Sequence, residues 1–189
     1  EKLESAGARL GFFNGQARVG FSGKFLSEDT NMVIGLLADQ LQNPLFAEEE
    51  LEKAKKRQVA GYKRSKESTR GNAMNSMLQA FYGSNHQNSP TNPDEAIKQI
   101  QKLTSEDLKN YHKEKYGLGS MVLVVVGDVD HIKMENLVKE NFGGWKQSNL
   151  KIKEEESVAS KASNKVYVTM QDKTSTDFVV GTALGIDRY

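Results

Sequence analysis

The 189 residues contain no cysteine. Disulfides, a cysteine-ligated zinc site and a thiol nucleophile are therefore excluded. A chain without thiols fits a periplasmic or secreted protein as well as a cytosolic one, with the extracytoplasmic reading slightly favoured. No run approaches the roughly 18 apolar residues that a membrane helix needs. No charge sign dominates either. Net charge is +1 although 27% of residues are charged, so composition names no anionic partner. What is present is enough for a core: 37% of residues are apolar, and the length predicts one domain or slightly more.

The ends are abrupt. Glu1 to Gly7 reads as a helix end followed by a C′ glycine, with no start signal before it. At the other end, Phe178 to Leu184 is an apolar strand pattern, and the sequence stops five residues later. The expectation is a stretch of a longer protein.

Residues 8–13 and 16–26 read as two strands around Asn14-Gly15, a strong hairpin signal. On the second, Ala17, Val19, Phe21 and Gly23 alternate with Arg18, Gly20, Ser22 and Lys24, which predicts one buried face. Ser27-Glu28-Asp29 caps a helix whose stripe is Val33, Leu36, Leu37 and Leu41, ended by Asn43-Pro44. A second helix opens near Ala47 with acids first and bases last, and Gly71 is expected to break or bend it. Residues 72–82 predict a third, with Met74, Met77, Leu78 and Phe81 inward.

After a polar loop over 83–93, Pro93 opens a short helix through Ile97 and Ile100. Thr104-Ser105-Glu106-Asp107 starts another, carrying Leu108, Tyr111 and Tyr116. The β-branched run Met121–Val126 predicts a central strand buried on both faces. Asp130 caps a helix with Met134, Leu137, Val138 and Phe142. Residues 146–164 read as an exposed linker, followed by strands at 165–170 and 177–184. The fold class is α+β, with helices layered on a mostly antiparallel sheet. The organisation is a first module over 1–145, the linker over 146–164, and final strands or the start of a second module over 165–189.

Set in order, these pieces form a pattern. Leu36 to Phe46 is similar to a leucine-rich helix closed by Pro-x-Phe, and Glu48 to Lys53 is the acidic start of the next helix. Phe81-Tyr82-Gly83-Ser84-Asn85-His86 is similar to a Leu-Tyr-Gly-x-x-His-Pro-Tyr loop, with Gln87-Asn88 replacing its Pro-Tyr. Leu103 to Leu108, Tyr111 to Tyr116, Val124 to Asp130 and Phe142-Gly143-Gly144-Trp145 follow in turn. Each motif is weak alone, but their order and spacing resemble the insulinase/pitrilysin-type zinc metallopeptidases, including the mitochondrial processing peptidase relatives.

That resemblance implies ferredoxin-like two-layer α+β modules, paired within a domain, with two domains closing on a peptide. Its catalytic members use H-x-x-E-H on one helix plus a later glutamate as zinc ligands. The three histidines here, His86, His112 and His131, lack that spacing. The later-ligand position falls near residues 60–61, occupied by Ala60-Gly61, and the nearest later acid is Glu67. The resemblance is therefore to a non-catalytic domain. It implies no catalytic or metal-binding residue in this chain, no cofactor bound by it, and zinc in a catalytic partner domain or subunit. Non-catalytic domains of the family also carry a closely spaced Arg and Tyr that grip substrate; Arg188-Tyr189 falls too early and is wrongly spaced.

The individual residues read plainly. His86 is an ordinary loop histidine, and His112 and His131 are surface groups. Asp128 and Asp130 could suggest a cation site, but the cap role explains Asp130. Met32, Met74, Met77, Met121, Met134 and Met170 are core filler. The seven basic residues from Lys53 to Lys66 could suggest nucleic acid; without interleaved aromatics beyond Tyr62 they read as a solvated helix face.

The expected function is a chamber wall that binds extended peptide by edge-strand pairing, near 16–26 or the late strands, beside a catalytic zinc domain or subunit. Substrate-binding residues stay unassigned, no nucleic acid or membrane span is expected, and a dimer is left open. The alternative is a structural scaffold subunit with the same fold and no peptide role; an anion-binding or nucleic-acid module stands behind both.

Overall fold

The computed structural model describes residues 2–15, 18–84, 86–148, 165–182 and 184. The chain divides into two units, Glu1–Phe46 with Glu106–Ile152, and Ala47–Ser105 with Lys153–Tyr189.

The first unit opens with α1 (Lys2–Ser5). Gly7 takes φ +60°, its N–H donating to the Glu4 carbonyl while Ala8 N–H donates to Leu3. That closes the helix as its C′ glycine predicts. Strands β1 (Arg9–Asn14) and β2 (Val19–Lys24) pair antiparallel from Arg9↔Lys24 to Asn14↔Val19. The connection is longer than the expected Asn-Gly turn. Asn14 still lies in the ladder opposite Val19, and Gly15 N–H donates to the Arg18 carbonyl at 2.8 Å; residues 16–17 of the expected second strand lie outside the described residues. The inward face agrees with the period-two reading, because Leu10 and Phe21 pack against the core. On the other face Phe13 lies over Gly20, where a Cβ would enter the ring.

Helix α2 (Thr30–Gln42) is the centre of this unit. A single helical turn, Ser27–Asp29, leads into it, and Thr30 Oγ1 donates to the Ser27 carbonyl at 2.7 Å. Val33, Ile34, Leu37, Ala38 and Leu41 are all buried, a stripe at helical spacing. Opposite runs α7 (His131–Phe142), whose Phe142 is 2% exposed. Met134, Leu137, Val138 and Trp145 pack round the same cluster. Full burial of each such side chain contributes about 1.5–3 kcal/mol. Gln42 Nε2 ties the two helices by donating to the Asn141 carbonyl at 2.8 Å.

Helix α6 (Ser105–Lys115) brings His112 to the end of α2. His112 is half-buried, not the surface group expected. Its Nε2 lies 2.7 Å from the Leu41 carbonyl, so that nitrogen carries the hydrogen and caps the last turn. Its ring sits between Tyr116, at 4.8 Å, and Phe46, edge-on at 5.7 Å. Phe46 has φ +46°, a costly conformation for a bulky residue, and the ring contact holds it there.

Residues 121–126 correct a second expectation. They form no ladder among the described residues. Met121, Leu123 and Val125 are half-buried, while Val122, Val124 and Val126 are 80%, 75% and 91% exposed. A doubly buried strand needs a layer on each face. Here the side chains of Met121 and Leu123 have the α2 and α7 layer to pack on, and the intervening valines have no cover within this unit among the described residues.

In the second unit, α3 (Glu48–Lys66), α4 (Thr69–Tyr82) and α5 (Pro93–Lys102) assemble, with Leu51 and Ala96 buried. The break after α3 is at Ser68, not Gly71. The Ser68 hydroxyl accepts from Gly71 N–H, which lies in the first turn of α4. Asn72 Nδ2 staples the junction by donating to the Lys66 and Ser68 carbonyls. Met74, Met77, Leu78 and Phe81 are half-buried. Asn92 caps α5, with Pro93 at its first position as expected. The expected strands at 165–170 and 177–184 form no ladder among the described residues; Tyr167, Phe178 and Val180 are exposed. Residues 149–164, most of the expected linker, lie outside the described residues.

His112→Ala leaves the Leu41 carbonyl without its cap and should cost about 1–3 kcal/mol in urea unfolding, whereas His131→Ala should stay within about 0.5 kcal/mol. Asp130 accepts from Ile132 and Lys133 N–H, so Asp130→Ala should cost about 1 kcal/mol. Among the described residues Asp128 contributes its carbonyl alone, to the Ser27 hydroxyl, so Asp128→Ala should be nearly neutral. Burial, with Tyr111 alongside, pushes the Tyr116 phenol above its ordinary value. The folded protein then holds that proton more tightly than the unfolded chain. Its contribution is complete below the ordinary phenol range near pH ~10 and declines as pH rises through the raised value. Tyr116→Phe should show a shallower alkaline loss of stability.

Candidate functional site: an open strand edge

A two-stranded hairpin satisfies only half of its backbone groups. β2 pairs with β1 on one side, and its other edge has no ladder partner among the described residues. Such an edge is a template for another extended chain.

The surroundings of that edge are apolar. A cleft of about 220 Å³ is lined by Phe21 to Phe25 on one side and Leu123 to Val129 on the other. Val33, Ile34 and Leu37 of α2 reach its lining. The apolar wall comes from the core stripe of α2, so the helix that holds the unit together also shapes the cleft. Polar atoms enter at one end, where the Ser27 hydroxyl donates to the Asp128 carbonyl at 3.0 Å. A second groove, about 460 Å³, runs between Leu123, Val125 and Val129 and the α7 residues Met134 and Val138, with His131, Glu135 and Lys139 also lining it. Lys139 pairs with Glu135 at 2.6 Å, which holds the Glu135 carboxyl below its ordinary range.

The histidines are each accounted for separately. His86 stacks on Tyr82 at 4.7 Å, and its Nδ1 accepts from Asn88 N–H at 3.1 Å. His112 caps α2, and His131 is exposed at the start of α7. Asp130 is the α7 cap, as expected. Ala60 and Gly61 supply no ligand, and Glu67 is held by Lys173 at 2.8 Å. Among the described residues no three His, Cys, Asp or Glu side chains are grouped to hold a metal ion. The described residues do not fit a zinc centre of the H-x-x-E-H kind. Arg188-Tyr189 lies outside the described residues. Among those described, no helix is long and apolar enough to cross a membrane.

Sequence reasoning missed the part played by residues 121–126. A continuous valine run hides its alternation, because the inward and outward positions carry the same kind of residue. It also missed His112, whose charged neighbours on α6 disguise an inward position.

Comparison with known proteins follows the same line. The family profile described as the peptidase M16 inactive domain matches residues 102–183. An uncharacterized zinc protease of Rickettsia felis is 28% identical over 78% of this chain and 35% of its own length. Cytochrome b-c1 complex subunit 1 of Bos taurus is 28% identical over 76% of this chain and 30% of its own. A probable mitochondrial-processing peptidase subunit beta of Arabidopsis thaliana is 28% identical over 75% of this chain and 26% of its own. The chain thus spans about a third of the length of such relatives. In structure it is similar to the crystal structure of a peptidase M16 inactive domain from Pseudomonas fluorescens, with TM-score 0.71 and 21% identity over 84% of this chain and 39% of that one. Ordered motifs, family profile and mixed helix-and-hairpin fold point the same way: the chain is similar to the peptidase M16 inactive domain over residues 102–183 and shares the fold of a solved one.

Proposed function

We propose that this domain walls a peptide chamber and holds unfolded peptide in extended form, beside a zinc-binding catalytic domain or subunit that carries H-x-x-E-H. The observation that carries the reading is the unpaired edge of β2 beside the apolar cleft. Backbone pairing along that edge would supply affinity with little sequence preference, and the cleft would take alternate apolar side chains. The ferredoxin-like arrangement belongs to the same reading. Residues 121–126, alternating in exposure across the cleft from β2, are in position to serve as the next strand or to give way to a peptide.

A scaffold role without peptide is the second reading, favoured by the similarity to a cytochrome b-c1 subunit. An Arg and Tyr at the family's spacing, in sequence beyond Tyr189, would support the peptidase reading, and their loss would support the scaffold.

Proline cannot donate to a ladder. On β2, alternate N–H groups point toward β1 and away from it. Proline should therefore be placed singly at positions 20 to 24 of the full-length parent, keeping variants whose circular dichroism is unchanged. Those variants should bind a labelled unfolded peptide about tenfold more weakly, the loss expected for one or two backbone bonds. Unchanged affinity in all of them would contradict edge pairing.

A further inference from the structure

The basic half of α3 is less ordinary in three dimensions than in sequence. Of its seven basic residues, Lys53 pairs with Glu49 and Glu50, Lys55 with Glu52, and Lys66 with Asp94. Lys56, Arg57, Lys63 and Arg64 are exposed and form no direct ion pair among the described residues; Arg57 acts on the Glu50 carboxyl only from a distance. The four are not scattered. Lys56 and Lys63 are two turns apart, as are Arg57 and Arg64, about 10 Å along the axis. Ala60 lies three or four residues from each, so all four surround it as helical neighbours. Ala60 is also two and a half turns beyond buried Leu51, which puts this array on the face opposite the packed one.

Local acids do not neutralise the array because other cations hold them. Glu67 could pair with Lys63 at helical spacing, but Lys173 takes it at 2.8 Å and keeps its carboxyl below the ordinary range. Asp94 is held by Lys66, and Glu50 is held chiefly by Lys53, which lowers its carboxyl, with a smaller and longer-range contribution from Arg57. The helix dipole favours cations only in the last turn. It accounts for Lys63, Arg64 and Lys66, and not for Lys56 and Arg57 in mid-helix.

We propose that this face of α3 is a docking surface for an acidic polypeptide segment, whose carboxylates supply the missing partners of Lys56, Arg57, Lys63 and Arg64. Arg57 and Arg64 can each take a carboxylate in bidentate form, and the small Ala60 leaves room between them. Nucleic acid fits less well. The array spans only a few phosphates, and it offers no aromatic ring for base stacking, since Tyr62 lies on the packed side, half-buried. The inference stands independently of edge pairing at β2.

The test is anisotropy with the 189-residue chain and three labelled probes: a glutamate-rich peptide, its glutamine twin, and duplex DNA. At about 50 mM salt the acidic peptide should bind, the twin should not, and affinity should fall as salt rises to about 200 mM. Arg57→Gln with Arg64→Gln should weaken binding about tenfold. Ala60→Glu places a carboxylate among the four cations. It should melt no earlier than the unaltered chain and bind the acidic peptide at least about tenfold more weakly, while Ala60→Gln should bind normally. The proposal is overturned if the acidic peptide fails to bind, if the twin binds equally, if DNA binds more tightly, or if Ala60→Glu binds as well as the unaltered chain.

Discussion

The first unit depends on the burial of one helix face. Ile34, Leu37, Ala38 and Leu41 of α2 meet Phe142 of α7, and the open strand edge of this unit is arranged around that contact. The hairpin rests Leu10 and Phe21 on it. The cleft beside β2 takes part of its lining from it. The His112 cap and the Gln42 bond to Asn141 hold the end of the same helix. Loosening α2 would move the hairpin edge, the cleft wall and the strained Phe46 together, because each is set by a residue of that helix or by one touching it.

Signals that act within a few residues were legible from sequence. The C′ glycine at Gly7, the Pro93 start of α5 and the Asp130 cap each rest on backbone groups one to four residues away. Signals that depend on what covers a face were not. Residues 121–126 have the composition of a doubly buried strand, yet cover is a property of other segments, and three of the four valines stand in solvent. Gly71 has the chemistry of a helix breaker, but the serine three residues earlier offers a cap and draws the glycine into the next helix. His112 was read by its charged neighbours and decided by the rings of Phe46 and Tyr116.

The candidate sites divide in the same way. That the edge near 16–26, or else the late strands, would take a peptide was expected from the family resemblance alone. The cleft next to the β2 edge was not, since it needs α2 and residues 121–129 in space. The basic run on α3 was visible as a string of letters. Its unneutralised core was not, because Lys173, which takes Glu67, comes from more than a hundred residues later in the chain.

The similarity to the peptidase M16 inactive domain over residues 102–183 supports one central claim of the proposed function: zinc chemistry belongs to a partner domain or subunit and not to this chain. The most direct measurement is the metal content of the purified chain by mass spectrometry, together with cleavage of a quenched unfolded peptide with and without added zinc. The account predicts substoichiometric zinc and no zinc-dependent cleavage. Stoichiometric zinc with chelator-sensitive cleavage would contradict it, and would mean that the separately placed histidines and glutamates form a centre this fold does not show.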